Sequence, residues 1–148
     1  MLKSLAKKLE FSTTAFWEKE KRGYFITSLS SDKLAFSCPP EFGGIETPSP
    51  EDLFLVSISS CTLTTFLHLC DNLRTEPERL SVTTKADITF DKSEGRFKFS
   101  TIKCIIDVNG DKFLLKRACE LTPKYCLVGR SIKPKLEYEI KINSSIEN

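Results

Sequence analysis

The stretch SPEDLFLVSISSC, residues 49–61, opens the one long apolar run of the sequence and decides the fold that the sequence predicts. Serine is a preferred N-cap residue, and proline is favoured at the first helical position because its missing N–H would have no partner there. Glu51 and Asp52 follow where acidic side chains favour the positive end of the helix dipole. These signals predict a helix that begins at Pro50 and ends near residues 72–77.

The predicted helix carries apolar side chains on more than one of its sides. A helix of this kind is typical of a buried position, and the Ser, Thr, His and Asp residues within 53–73 argue against a membrane span. We therefore expect this helix to be surrounded by protein and to form the hydrophobic centre of the fold. The apolar residues are Leu53, Phe54, Leu55, Val56, Ile58, Leu63, Phe66, Leu67 and Leu69.

Two long strand patterns follow the helix. Residues 80–90 alternate apolar and polar side chains, as a strand with one buried face does. The apolar positions change parity within residues 97–108, which a β-bulge explains, and a turn at residues 91–95 joins the two segments into a hairpin. Further strands are predicted within residues 11–21, 24–29, 34–38 and 136–142, with a turn at 30–32 between the second and third of these.

A second helix is predicted from residues 109–111, with Leu114, Ala118 and Leu121 on one face. Pro123 breaks or kinks this helix just before Cys126, which then opens a new turn. The predicted order is βββαββαβ, and the fold class is α+β. We expect one domain over residues 1–148, with an N-terminal extension (1–10) and a polar tail (143–148).

Composition limits the range of functions. The 148 residues are 40% hydrophobic and 28% charged, as in an ordinary globular domain. Lys plus Arg number 22 and Asp plus Glu 20, and a net charge of +2 is too small to indicate a nucleic-acid partner. The first residues hold no apolar stretch long enough for a secretory signal, so we expect no export and a cytoplasmic location.

The six cysteines do not have the spacing of a metal site or a thioredoxin-type motif. The sequence contains no Cys-x-x-Cys and a single histidine, so we expect no metal. In a reducing cytoplasm these cysteines are expected to be free thiols. His68 lies about 10.5 Å along the helix from Cys61, too far for a nucleophile pair, so a structural role is expected for it. Core packing is the favoured interpretation for Cys38, Cys70, Cys104 and Cys119.

Cys61 is the main candidate for chemistry, although core packing is the commoner role of a free cysteine. An ordinary thiol is only a few per cent thiolate at neutral pH, so a reactive one needs a nearby positive charge. Cys61 lies beyond the first turn of its helix, where the dipole acts, so a cationic side chain must supply that charge. Arg22 is the most interesting of the six arginines because it lies at the start of a predicted strand and could be buried beside the helix, although a solvated strand end is the commoner position. Lys21 competes with it.

Glu51 is a candidate to orient such an arginine, although it also serves simply as an acidic residue at the helix N-terminus. Ten residues place it about 15 Å along the axis from Cys61 and about 80° around it, so the two side chains cannot meet within one straight helix. An antiparallel copy of the helix would bring them together. The small Ser57, Ser59 and Ser60 permit close approach of helices, which predicts a homodimer with a shared site.

These features resemble the OsmC/Ohr family over residues 11–142. The resemblance rests on Gly43-Gly44, on PEDLF at residues 50–54, on Cys61 ten positions after Glu51, on the hairpin of residues 80–108 and on Cys126. It implies an intertwined α+β homodimer whose two central helices are enclosed by sheets. It also implies a thiol peroxidase that acts on organic hydroperoxides without a cofactor.

The resemblance also implies roles for single residues. Cys61 would attack the peroxide and become a sulfenic acid, and Cys126 would condense with it to a disulfide. A small or protein-bound dithiol would then reduce that disulfide. Glu51 matches the glutamate that positions an arginine in the family, and Arg22 is the nearest match to that arginine.

Two other hypotheses remain at the level of the sequence. The first is a non-catalytic dimer that binds an apolar small ligand in a cleft lined by Phe and Leu side chains. The second is a basic surface for anionic partners, against which the nearly balanced charge argues. Its residues would be Lys3, Lys7, Lys8, Lys19, Lys21 and Arg22.

Overall fold

The computed structural model describes residues 9–20 and 22–144, and its elements form an α+β fold. The described residues divide into two compact units, the first ending at Leu53 and the second beginning at Phe54. The predicted single domain stays a prediction, and most of the predicted N-terminal extension and polar tail lies outside the described residues. The strands are β1 (Thr13–Glu18), β2 (Arg22–Thr27), β3 (Ser30–Phe36), β4 (Arg79–Asp91), β5 (Arg96–Asn109) and β6 (Leu136–Asn143); the helices are α1 (Pro50–Asn72), α2 (Lys112–Tyr125) and α3 (Leu127–Ser131), with a 3-10 turn at Pro40–Phe42.

The first unit contains an antiparallel sheet in the order β1-β2-β3. The turn between β2 and β3 lies at residues 28–29, so the turn predicted at 30–32 is wrong. Ser30 pairs with Thr27 and already belongs to β3, because the turn-forming Ser28 precedes the serines that suggested the later position. Cys38 was predicted on a strand, but β3 ends at Phe36 and the Cys38 side chain is exposed.

Helix α1 begins at Pro50 as predicted, and the residues around its first turn explain why. The Ser49 hydroxyl accepts from the Asp52 N–H at 3.1 Å, and the Ser49 N–H donates to the Asp52 carboxylate at 2.8 Å. This reciprocal pair satisfies two backbone donors at the helix end. The hydrogen bonds from Ser49 lower the pKa of the Asp52 carboxyl.

Only one face of α1 is buried within a single copy of the chain, whereas the sequence predicted a surrounded helix. Val56 is 56% exposed and Leu67 37% exposed, so apolar side chains on the other faces lack cover from their own chain. α1 is long and apolar enough to cross a membrane by length and composition, a test that core helices of soluble proteins also pass. The buried face consists of Ile58, Thr62, Phe66, Leu69 and Cys70.

The second unit contains a sheet in the order β4-β5-β6, in which β4 and β5 are antiparallel and β5 and β6 parallel. Ala86 pairs with Ile102 but Ile88 pairs with Phe99, so β5 has one extra residue there. The predicted bulge is therefore confirmed. The order of elements includes α3, a short helix between α2 and β6 that the predicted order βββαββαβ lacks.

Helix α2 begins where predicted, with the Asp111 carboxylate accepting from the Leu114 N–H at 3.0 Å. Its buried face is centred one residue away from the predicted one, so that Leu114 is only half-buried. Pro123 does not end the helix, which continues to Tyr125. The buried residues of α2 are Leu115, Ala118, Cys119 and Thr122. The first three of these pack with α1 and β5 in a core of Phe66, Leu69, Cys70, Ile106, Val108, Leu115, Ala118 and Cys119.

Candidate active site

The second unit brings the Cys61 and Cys126 thiols together, although 64 residues separate them in sequence. Cys61 lies near the middle of α1 and is half-buried, whereas Cys126 is fully buried between α2 and α3. Cys61 lies close enough to Cys126 to raise the pKa of the Cys126 thiol, and neither cysteine is joined in a disulfide. The fold therefore places the two thiols near each other at the end of α2.

Backbone hydrogen bonds on both sides of Cys126 determine where α2 ends and α3 begins. The Cys126 N–H donates to the Thr122 carbonyl at 2.9 Å and so completes the last turn of α2. Its carbonyl accepts from the Arg130 N–H at 3.1 Å and so begins α3. Cys126 opens a new turn, as predicted, and its backbone is held by hydrogen bonds to the helices on either side.

A group of hydroxyls and a third thiol surround Cys126. The Thr62 hydroxyl lies 3.6 Å from the Cys126 sulfur, and the Cys104 thiol donates to the same Thr62 oxygen at 3.7 Å. The Tyr138 hydroxyl on β6 is also close to Thr62 and Cys126, and both influence its pKa. Adjacent elements α1, β5 and β6 thus each contribute a polar side chain to the otherwise apolar interior beside the thiol pair.

Burial controls the protonation of this group. It raises the pKa of the Cys126 thiol, an effect that hydrogen bonds from Gly129 and Thr62 oppose and that the neighbouring Cys61 increases. Burial also raises the pKa of Cys104 and of Tyr138. Around neutral pH the Cys126, Cys104 and Tyr138 groups are therefore protonated, and each has a proton to donate.

Gly129 of α3 leaves the space in which these groups meet. A Cβ at this position would lie 2.9 Å from the Tyr138 oxygen, 3.0 Å from a Leu136 methyl and 3.3 Å from the Cys126 sulfur. Alanine is ordinarily preferred over glycine in a helix. Here a methyl group would force Tyr138 or Cys126 to move.

The other two predicted site residues, Glu51 and Arg22, lie in the first unit. Glu51 is half-buried in the first turn of α1, and one of its carboxylate oxygens is buried without a hydrogen-bond partner. Arg22 is the first residue of β2, opposite Glu18 of β1, and its side chain is exposed. No salt bridge within residues 9–20 and 22–144 includes either side chain, and Lys21 lies outside the described residues.

The remaining cysteines and His68 have distinct surroundings. Cys70 and Cys119 are buried in the apolar core, as predicted for packing residues. Cys104, also predicted to pack, is buried but lies in the polar group beside Cys126. His68 is exposed, and its Nε2 atom lies 3.3 Å from the Asn72 amide nitrogen. In the part of the chain that the structure describes, no three His, Cys, Asp or Glu side chains are grouped to hold a metal ion.

Thr62 and Tyr138 are the site residues that sequence reasoning missed. Thr62 directly follows Cys61 in a helix rich in Ser and Thr, so its type does not set it apart. Tyr138 belongs to a strand with an ordinary alternating pattern. The pairing of β5 with β6 sets Tyr138 opposite Cys104, whereas Thr62 reaches Cys104 and Cys126 from α1.

Comparison with known proteins decides the family. The profile of the family described as OsmC-like protein matches residues 43–141, which include α1, both thiols and the whole second sheet up to Lys141. The chain belongs to the OsmC-like family. The sequence-based assignment to OsmC/Ohr proteins is thus confirmed. No functionally curated protein matches the sequence.

Solved structures show the same fold at low sequence identity. An OsmC-like protein of unknown function from Vibrio cholerae has a TM-score of 0.76 at 17% identity, covering 90% of this chain and 99% of its own. An organic hydroperoxide resistance protein from Elizabethkingia anophelis has a TM-score of 0.69 at 16% identity, with 94% and 99% covered. One from Legionella pneumophila has a TM-score of 0.66 at 21% identity, with 93% and 99% covered. The predicted OsmC-like α+β fold is confirmed.

Proposed function

We propose that this protein is a cysteine-based thiol peroxidase that reduces organic hydroperoxides in defence against oxidative stress. The main support is the proximity of two thiols, the half-buried Cys61 and the fully buried Cys126, in a member of the OsmC-like family. The similarity to organic hydroperoxide resistance proteins supports the choice of substrate class.

Cys61 is the peroxidatic residue in this proposal. Its thiolate attacks the terminal oxygen of the hydroperoxide, the S–O bond forms as the O–O bond breaks, and the released alkoxide takes a proton to leave as an alcohol. Cys61 is then a sulfenic acid. Its partial exposure gives a substrate access that the other α1 cysteine, Cys70, does not have.

Cys126 is the resolving residue. Its sulfur attacks the Cys61 sulfur, the S–S bond forms, and the hydroxyl of the sulfenic acid leaves with the Cys126 proton as water. A small or protein-bound dithiol then reduces the disulfide by exchange and is itself oxidised. The effect of Cys61 on the pKa of Cys126 indicates that the two thiols are close, which supports this pairing.

Arg22 and Glu51 are proposed to promote ionisation of Cys61, with Arg22 from either copy of a homodimer. The partnerless buried oxygen of Glu51 supports this role, because a buried carboxylate oxygen without a hydrogen bond is costly and a guanidinium would satisfy it. The apolar side chains that α1 exposes in a single chain support the homodimer. We propose a cytoplasmic location, where a reducing environment keeps the thiols free.

A cleft of about 670 Å³ lies along α1 beyond Cys61 and begins at Thr64 and Thr65. Its lining combines Leu69, Leu73, Leu121 and Tyr125 with the polar His68 and Asn72, and neither Cys61 nor Cys126 lines it. Such a volume is typical of small-molecule sites, so the cleft is proposed to hold the apolar part of the hydroperoxide.

The test is a turnover assay with cumene hydroperoxide and a dithiol reductant. We expect the wild-type protein to consume the hydroperoxide faster than hydrogen peroxide. Cys61→Ser should show no consumption, and Cys126→Ser should react once and accumulate a sulfenic acid that dimedone traps. Peroxide-inert thiols together with a co-purifying apolar ligand would contradict the peroxidase and support the non-catalytic binding protein.

A further inference from the structure

The hydroxyl of Thr62 differs from the other hydroxyls of α1 in what it contacts. The four other Ser and Thr side chains with bonds in this stretch donate to carbonyls three or four residues earlier in the helix. Thr62 instead contacts two thiols on other elements, and no bond to a carbonyl of its own helix is present among the described residues. The four are Ser57, Ser59, Ser60 and Thr64.

The Thr62 hydroxyl contacts two thiols at once. The Cys104 thiol donates to the Thr62 oxygen at 3.7 Å. Between Thr62 and Cys126, which lie 3.6 Å apart, either group can be the donor while Cys126 carries its proton. Once Cys126 ionises it has no proton to donate, so the Thr62 hydroxyl is then the donor and the Cys126 sulfur the acceptor.

We propose that Thr62 is a positioning residue for the resolving step, and that Cys104 orients its hydroxyl. By donating to the Cys126 sulfur, Thr62 holds this side chain beside Cys61 and stabilises the negative charge that develops on the sulfur as it attacks. The role in turnover rests on the proposed peroxidase function, whereas the hydrogen bond itself does not.

Two properties of the site support this role. Burial opposes ionisation of Cys126, and the Thr62 hydroxyl is one of two hydrogen-bonding groups that offset it. Thr62 is itself fully buried, so water cannot replace its hydroxyl. The titratable groups that interact with Cys126 are Cys61 of α1, Cys104 of β5 and Tyr138 of β6.

The kinetic test compares Thr62→Val, which removes the hydroxyl at nearly constant volume, with Thr62→Ser, which keeps it. Oxidation of Cys61 by one equivalent of cumene hydroperoxide should be unchanged in both. Disulfide formation should be about threefold to tenfold slower in Thr62→Val, which loses one hydrogen bond to a sulfur that carries only part of a negative charge as it attacks, and restored in Thr62→Ser. Thr122→Val is the matched control, because Thr122 is also fully buried but donates to the Ala118 carbonyl. Equal rates in Thr62→Val and wild type, or equal slowing in Thr122→Val, would overturn the proposal.

A second measurement needs no peroxide and separates this proposal from the peroxidase function. In the Cys61→Ser background, the ¹³Cβ shift of Cys126 reports its titration, and Thr62→Val should raise its pKa by about half to one unit. An unshifted pKa would contradict the hydrogen bond even if turnover is normal. In the wild-type protein the Thr62 hydroxyl proton should show a nuclear Overhauser effect to the Cys126 β-protons. A contact to Ile58 instead would mean that the hydroxyl donates to its own helix and would overturn the proposal without any variant.

Discussion

Two thiol pairs occupy the same elements of the second unit in very different surroundings. Helix α1 carries both Cys61 and Cys70, and α2 carries Cys119 and is followed by Cys126. Cys70 and Cys119 interact in the apolar core, and burial raises the pKa of Cys70 to about 11 and that of Cys119 to about 12. Cys61 and Cys126 interact beside three polar side chains, and Cys61 is half-buried. Access and hydrogen bonding, rather than pairing alone, distinguish a site for chemistry from a packed core.

The largest expected effect contrasts Cys61 with Cys70. Cys61→Ser should abolish consumption of cumene hydroperoxide, because it removes the accessible nucleophile. Cys70→Ala should leave the rate per folded molecule unchanged and lower only the free energy of unfolding, because Cys70 is a packing residue. Turnover assays and urea denaturation of both variants measure the two effects. Loss of peroxidase activity in Cys70→Ala would contradict the assignment of Cys70 to packing and of Cys61 to chemistry.

Alkylation of the reduced native protein should show the same contrast without any substitution. We expect iodoacetamide to label Cys61 and the exposed Cys38 readily. Cys70 and Cys119 should react at least about a thousandfold more slowly, because their alkylation requires opening of a core that costs ~5 kcal/mol or more. Peptide mass spectrometry over a time course measures the four rates. Equal labelling of Cys70 and Cys61 would mean that the core pair is accessible.

The pH dependence of disulfide formation should follow the raised pKa of Cys126. Below that pKa its thiolate fraction rises about tenfold per pH unit, so resolution should accelerate with pH and reach no plateau before the ordinary thiol pKa of about 8.5. The free energy of unfolding should change in the opposite direction. In the unfolded chain Cys126 ionises near its ordinary pKa of about 8.5, whereas in the folded protein it stays protonated to higher pH, so its contribution to stability is lost as the pH rises above about 8.5. Rapid-quench measurements of the disulfide between pH 6 and 9 test this, and a plateau near pH 7 would contradict it.

The smallest expected effect comes from filling the space that Gly129 leaves beside the Cys61–Cys126 pair. Gly129→Ala should cost about 1–3 kcal/mol through overpacking against Tyr138 and Cys126, and should slow disulfide formation. Ala118→Gly, a change of the same size in the core beside Cys119, should lower stability by about 1 kcal/mol without changing that rate. Urea denaturation and disulfide kinetics measure both. A faster disulfide in Gly129→Ala would mean that the glycine has no spacing role.

The parts of the fold that follow from local physics could be predicted from sequence. The Ser49 cap, the β5 bulge and the turn at Cys126 depend on residues close together in the chain, and each is present. The β2–β3 turn was misplaced because serines on both sides of the true position give the same signal. Predicted burial of every face of α1 was wrong for a single chain.

Some residues of the candidate site could likewise be predicted from sequence, and others could not. The two thiols stand out by residue type and by spacing from Glu51. Thr62 and Tyr138 do not, because their contacts depend on how α1 and β6 meet β5 over 34 to 64 residues of separation, as Tyr138 to Cys104 and Cys126 to Thr62 illustrate. The assignment of Arg22 and Glu51 stays a prediction.

A disulfide map after exposure to one equivalent of cumene hydroperoxide tests directly whether Cys61 and Cys126 are the reacting pair. We expect a single new disulfide between Cys61 and Cys126, with Cys70 and Cys119 still free. Peptide mass spectrometry with differential alkylation before and after reduction identifies each thiol. A disulfide between Cys70 and Cys119, or six thiols that all remain free while the hydroperoxide is intact, would contradict it.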